Sequence, residues 1–184
     1  MKASDVPAGG TLSTCFNGLT ISPGPANKLA FTNTVITGTA GTVLATQPQV
    51  TVQDRFFAPR RATNRKVTLQ HALKQLEETG TLGNFDLAAA GKHDGFKGYV
   101  FQDSDAYKAV EAIAFALADG TDPALDKQCD AVIARIAAAQ QPDGYLDTWF
   151  IVNGLDKRWK NLRDQHELYC AGHLFEAAVA HYRA

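Results

Sequence analysis

No stretch of this sequence approaches the roughly 18 consecutive apolar residues of a membrane-spanning helix, so no bilayer is expected among its partners. The N-terminus, MKASDVPAGGTLSTC, lacks the apolar core of a secretory signal. No CxxC pair occurs, and three cysteines, Cys15, Cys129 and Cys170, cannot all pair. Together these absences predict a reducing compartment and a cytoplasmic location. Charge of either sign is not in excess: the formal net charge is −1, which predicts no general field for nucleic acid or another polyanion. What remains is an ordinary globular composition, 45% hydrophobic and 20% charged over 184 residues, a length that suits one domain.

Charge is also scarce locally. Up to Pro48 the only charged residues are Lys2, Asp5 and Lys28, in a segment rich in Thr, Gly, Ser and Pro. Residues 1–50 are therefore read as a separate N-terminal segment, and 51–184 as the main unit. Leu29 to Thr34, Thr42 to Thr46 and Val50 to Val52 have the composition of short strands. Gly9-Gly10, Pro23-Gly24-Pro25 and Gly38 to Gly41 read as turns. The segment suggests no function.

Helical periodicity takes over after Arg60. Leu69, Ala72, Leu73 and Leu76 stand at i, i+3, i+4 and i+7, and Gly80 is a natural stop, so a first helix is predicted over 62–79. A second is predicted over 103–119, with Tyr107, Val110, Ala114 and Leu117 on one side and Ala106, Ile113 and Ala116 on others. Asp122 caps a third and Pro123 begins it. Its apolar face is Leu125, Cys129, Val132, Ile133 and Ile136. The fourth, HELYCAGHLFEAAVAHY, runs from His166 to Tyr182, with Asp164 and Glu167 in the spacing of a capping box. Leu168, Ala171, Phe175, Ala178, Val179 and Tyr182 share an apolar stripe, predicted to face the core. His166, Cys170, His173 and Ala177 fall opposite.

Helices one and three are amphipathic, whereas two and four are apolar nearly all round. Short and long connections alternate. Antiparallel pairs of this kind build an outer and an inner layer, with both long connections at the end where the inner helices begin. Asn84, Phe85, Asp103, Asp105, Gln141, Asp143, Tyr145, Trp149, His166 and Glu167 crowd that end. Amides, carboxylates, an imidazole and flat rings in one funnel suit a sugar, through hydroxyl hydrogen bonds and ring-to-C–H contact. Duller roles compete. Cys170 and His173 suit packing better than a zinc face at i, i+4, i+7. Glu167 suits a cap, Asp103 and Asp105 a first helical turn, and Asp143-Gly144 a tight turn. Glu111 and Glu176, inside helices, call for ion-pair partners such as Lys108.

DRFFAPRRATNRKVTL (Asp54 to Leu69), ETGTLGNF (Glu78 to Phe85), FQDSDAYKAVEA (Phe101 to Ala112), QQPDGYLDT (Gln140 to Thr148) and HELYCAGHLFEAAVAHY together resemble the N-terminal part of glycoside hydrolase family 127, the β-L-arabinofuranosidases. The resemblance runs from about Thr51 to Ala184, with the motifs in the family's order. It implies a mainly α fold: part of an (α/α)6 toroid, here about four helices in two outer/inner hairpins, after a short irregular or β segment. It also implies a retaining glycosidase in which a zinc-bound cysteine thiolate attacks the anomeric carbon and a glutamate acts as acid and then base. The zinc ligands, the nucleophile and the acid/base residue match no position here, so no catalytic and no metal residue is assigned, and the chain alone is expected to be inactive. Zinc is expected in the full-length protein. The histidine that opens HELY carries over to His166. The candidate substrate-binding set is His166, Asp143, Tyr145, Glu167 and Asp103, for an L-arabinofuranoside-type carbohydrate. Alternatives are another (α/α)6 enzyme, such as an epimerase or unsaturated-uronide hydrolase, and a non-catalytic helical binding module.

Overall fold

The computed structural model of the protein describes residues 29–31, 50–52 and 55–184. The chain divides into two compact units, Met1–Arg61 and Ala62–Ala184. In the first, β1 (Leu29–Phe31) pairs antiparallel with β2 (Val50–Val52), with Ala30 opposite Thr51. The strand expected over Thr42 to Thr46, the turns and the end of the first strand lie outside the described residues.

The first helical run starts earlier than periodicity suggests, at Phe57 (α1, Phe57–Thr63). Pro59 is tolerated there because the first turn's N–H groups have no intrahelical partner to lose. The run widens into one π-helical turn at Asn64–Thr68 and continues as α2 (Leu69–Glu78). Gly80 ends it with φ of +84°, and a Cβ there would lie 2.6 Å from Lys97 Cδ.

The next helix, α3 (Thr81–Ala89), stands where the sequence suggested a connection. Its inward face is Thr81, Asn84, Phe85 and Ala88, spaced i, i+3, i+4 and i+7. Two of those four are polar, which hides the pattern from a hydrophobicity reading. Both have partners inside. Asn84 Nδ2 donates to the Lys97 carbonyl at 2.8 Å and its Oδ1 accepts from the Lys97 amide at 2.9 Å. Thr81 Oγ1 accepts from Gln102 Nε2 at 2.9 Å.

Helices α4 (Asp103–Ala118) and α5 (Pro123–Ala139) follow the sequence signals closely. The Asp122 side chain accepts from the Leu125 amide, as an N-cap should, and Pro123 follows it. The second connection also holds more structure than expected: α6 (Thr148–Asn153), a 3₁₀ turn at Leu155–Lys157, and α7 (Leu162–Gln165). The last helix is α8 (Glu167–Arg183).

Central α4 packs against α2, α3, α5 and α8, and α6 covers α3. Phe85, Tyr107, Ile113, Leu125, Phe150 and Val152 fill the core. Arg135 of α5 clamps Glu77 of α2 and Asp86 of α3 from outside. α4 and α8 lie side by side and parallel, since Phe101 meets His166 at one end and Lys108 meets Tyr169 further on. This is the expected outer/inner layering, two hairpins of a helical toroid.

Two expectations for α8 are overturned. Asp164 and Glu167 do not form a capping box. Asp164 belongs to α7 and bonds Asn161 and Arg163, while His166, at φ +57°, separates the two helices and Glu167 turns inward. The predicted core stripe is instead the open face: Leu168, Phe175, Val179 and Tyr182 are exposed, Tyr182 at 91% and Phe175 at 66%. The buried side chains are Glu167, Cys170 and Ala177. Small residues let α8 approach α4 closely, so the bulky ones point away, where no described element covers them.

Candidate functional site

The connection after α3 and the connection after α5 both return to the N-terminal ends of α4 and α8. There the side chains sort into two groups, one in contact with His166 and the other with Glu167.

The first group is aromatic. The His166 ring meets Phe101 at 5.2 Å and Tyr169 at 5.9 Å, both edge-on. Tyr99 stacks flat on Phe101 at 5.4 Å and is largely exposed. Lys108 Nζ donates to Tyr169 Oη at 2.7 Å and to Ser104 Oγ at 3.1 Å. Among the described residues the His166 imidazole has no hydrogen-bond partner. Its left-handed backbone, uncommon for any residue but glycine, is what swings it clear of α8.

The second group is ionic and mostly inward. Glu167, only 2% exposed, accepts from Tyr145 Oη at 2.7 Å and from the Trp159 amide at 2.8 and 3.0 Å. Burial first, and the bond to Glu167 second, push the Tyr145 phenol far above its usual range, so it stays a donor. Asp143 is exposed. It takes Arg158 Nη1 at 2.6 Å and the Tyr145 amide at 3.1 Å, which hold its carboxyl below the usual value.

Beneath both groups lies a buried acidic pair. Asp103 receives the Thr148 amide at 2.7 Å and the Thr148 hydroxyl, tying α6 to the start of α4. Desolvation nevertheless raises its pKa to about 6. Asp147 caps α6 through Oδ1, while its buried Oδ2 has no partner among the described residues. Desolvation and the Asp103 charge push it to about 8. The two donations from Thr148 favour the charged form of Asp103, and that charge leaves Asp147 with the higher pKa of the two.

The other sequence candidates scatter. Asn84 and Phe85 are locked inside α3; Asp105 faces outward beside Lys108; Gln141 bonds the Ala139 carbonyl; Trp149 packs edge-on against Phe150. Lys108 does not reach Glu111 or Glu176. Instead Glu176 lies 3.3 Å from His173 Nδ1, and Glu111, His173 and Glu176 bring ligand atoms together. His166, Cys170 and His173 form no such group among the described residues. Burial pushes the Cys129 thiol up to about 11 and the Cys170 thiol higher still, so neither offers a thiolate near neutral pH. Tyr99, Phe101, Arg158 and Trp159 went unnoticed as site residues. Their signals were the Tyr-x-Phe pair closing a glycine-rich connection, and a lone Trp among Arg and Lys in a polar loop.

A layered helical toroid whose inner helices begin at an aromatic and carboxylate-lined rim is the architecture of a class of carbohydrate-active enzymes. Comparison narrows this: residues 49–184 match the β-L-arabinofuranosidase, GH127 catalytic domain family, and the chain belongs to that family. It is similar to a non-reducing end β-L-arabinofuranosidase of Bifidobacterium longum subsp. longum, 46% identical over 106 residues, which are 55% of this chain and 16% of the relative. The crystal structure of a GH127 β-L-arabinofuranosidase from Geobacillus stearothermophilus T6 superposes with a TM-score of 0.71 at 43% identity, covering 74% of this chain and 22% of that one. A second GH127 β-arabinofuranosidase structure gives 0.69 at 36% identity, over 73% of this chain and 23% of that one. The chain thus spans about a fifth of the length of these relatives. No helix among the described residues is long and apolar enough to cross a membrane.

Proposed function

We propose that the chain supplies part of the substrate funnel of a retaining glycosidase acting on β-L-arabinofuranosides. The observation that carries this reading is His166: an imidazole with no hydrogen-bond partner among the described residues, held out by a left-handed backbone and walled by Phe101 and Tyr169, where both long connections gather. In this reading His166 donates to a sugar hydroxyl and Asp143 lies within reach of a second sugar. Tyr145, Glu167 and Asp103, whose hydrogen bonds are filled from within, hold the rim in shape.

The family implies zinc, and the donors described here do not fit it. Cys129 and Cys170 are buried, protonated thiols, and no cysteine joins either group of converging ligand atoms. Metal, nucleophile and acid/base residue belong in this reading to the remaining length of the relatives, and this chain's residues bind and shape the rim.

The test is His166→Ala in a chain continued to the relatives' length, assayed on an aryl β-L-arabinofuranoside. A hydrogen bond that strengthens as charge develops on the sugar predicts a loss on the order of 10²-fold in kcat/KM, roughly 2.7 kcal/mol, with an unchanged melting temperature. His173→Ala, in contact with Tyr169 and Glu176, is the packing control and should melt earlier at a normal rate per folded molecule. The opposite pattern would reverse the roles of the two histidines.

A further inference from the structure

Tyr145 and Trp159, the two residues that donate to Glu167, also line a surface recess. Asp143, Gly144, Tyr145, Arg158 and Trp159 line an open depression of about 300 Å³, at the small end of ligand-sized hollows. Its construction is unusual in one respect. Trp159 has φ of +64°, a conformation that bulky side chains avoid, and it persists because buried Glu167 takes its amide on both carboxylate oxygens. A buried carboxylate and a strained backbone together present an indole that is half exposed and has no hydrogen bond among the described residues. Tyr145 braces the indole edge-on at 5.2 Å. Arg158 spends only Nη1, on Asp143, and its guanidinium lies 5.2 Å over the Tyr145 ring. Its other N–H groups are unengaged among the described residues.

A flat, polarised ring beside a carboxylate and a partly unspent guanidinium matches the needs of one sugar ring. The indole takes a C–H face, and the ion pair takes hydroxyls with charge-assisted hydrogen bonds. A phosphate would meet Asp143 as a like charge, and an apolar ligand would leave the ion pair unused. We propose that the Trp159 hollow is a second saccharide subsite, taking the sugar adjacent to the one held at His166. It rests on the reading of His166 as a sugar-binding residue: consecutive residues, His166 and Glu167, serve the two places, one by its ring and the other by fixing Trp159.

The experiment is calorimetric titration of the chain, continued to the relatives' length, with methyl 1-thio-β-L-arabinofuranoside, a sulfur-linked β-L-arabinofuranosyl disaccharide and a sulfur-linked β-xylosyl disaccharide, whose thioglycosidic bonds resist hydrolysis. The arabinosyl disaccharide should bind at least tenfold more tightly than the monosaccharide. Trp159→Gly, which removes the ring while suiting the positive φ, should abolish that advantage without lowering the melting temperature. Arg158→Gln, at the hollow's edge, should weaken the disaccharide severalfold in a folded chain and serves where Trp159→Gly melts early. Equal affinity for mono- and disaccharide, or no saccharide binding at all, overturns the subsite. Binding of the xylosyl disaccharide alone, lost in Trp159→Gly, supports the saccharide subsite and instead sinks the arabinofuranoside reading.

Discussion

Asp147 holds two backbone amides on one carboxyl oxygen and buries the other, which has no partner among the described residues, near the Asp103 carboxyl. Both carboxyls titrate higher in the folded chain than in the unfolded one, because burial disfavours their charged forms. The unfolded chain therefore releases these protons first as pH rises. The stability they lend is full below about pH 4 and is lost through about 6 for Asp103 and about 8 for Asp147. Melting temperature should fall between pH 5 and 8.5. In Asp147→Asn, which keeps the cap acceptor but cannot ionise, that fall should be clearly shallower, as read by thermal melts across the range. An equally steep fall in the variant would place the titration elsewhere. Tyr107, whose buried hydroxyl also has no partner among the described residues, is kept neutral by desolvation and by these same carboxyls, so it adds no charge to the cluster in this range.

Gly80 is the hinge between α2 and α3, and Lys97 from the following connection lies across it. Gly80→Ala meets both a left-handed backbone and a 2.6 Å approach to the Lys97 side chain, and should destabilise by about 1–2 kcal/mol in urea unfolding. Asn84→Ala, which strips both hydrogen bonds from the Lys97 peptide, should destabilise by about 1–3 kcal/mol. Elements announced by local chemistry were legible in the sequence. Asp122-Pro123 set the start of α5, Gly80 the end of α2, and the apolar density of α4 its central place. Elements whose stability is tertiary were not. α3 buries Thr81 and Asn84, which look solvated until Gln102 and Lys97 arrive from further along the chain. α6 is a Trp-Phe-Ile-Val run that a strand would carry as well; the Asp147 cap and the Thr148 bonds to Asp103 favour the helix. For the same reason the site was only half visible. The D-x-x-E spacing at Asp164 and Glu167 suggested a local cap, whereas Glu167 spends its carboxylate on Tyr145 and Trp159, 22 and 8 residues away.

On the scale of the whole helical unit, Leu168, Phe175, Val179 and Tyr182 recur at helical spacing along the exposed face of α8, an apolar stripe rather than scattered single residues. The chain in isolation should bind ANS and sediment in part as oligomers, and Phe175→Glu with Val179→Lys should reduce both without lowering the melting temperature. A sharply cooperative, monomeric chain that ignores the dye would contradict this. The parallel course of α4 and α8 has a further electrostatic consequence. Every peptide unit in the two helices points its N–H toward the same rim, so two macrodipoles, each about half a positive charge, end side by side there. Antiparallel neighbours would cancel; these repel. Asp103 and Glu167 are the first residues of the two helices, and their buried carboxyls sit where that repulsion is greatest. Any further inner helix laid parallel to these would bring another positive end to the same rim. A ring assembled this way surrounds its mouth with positive potential from the backbone alone, which favours electron-rich oxygen atoms before a single cationic side chain is counted.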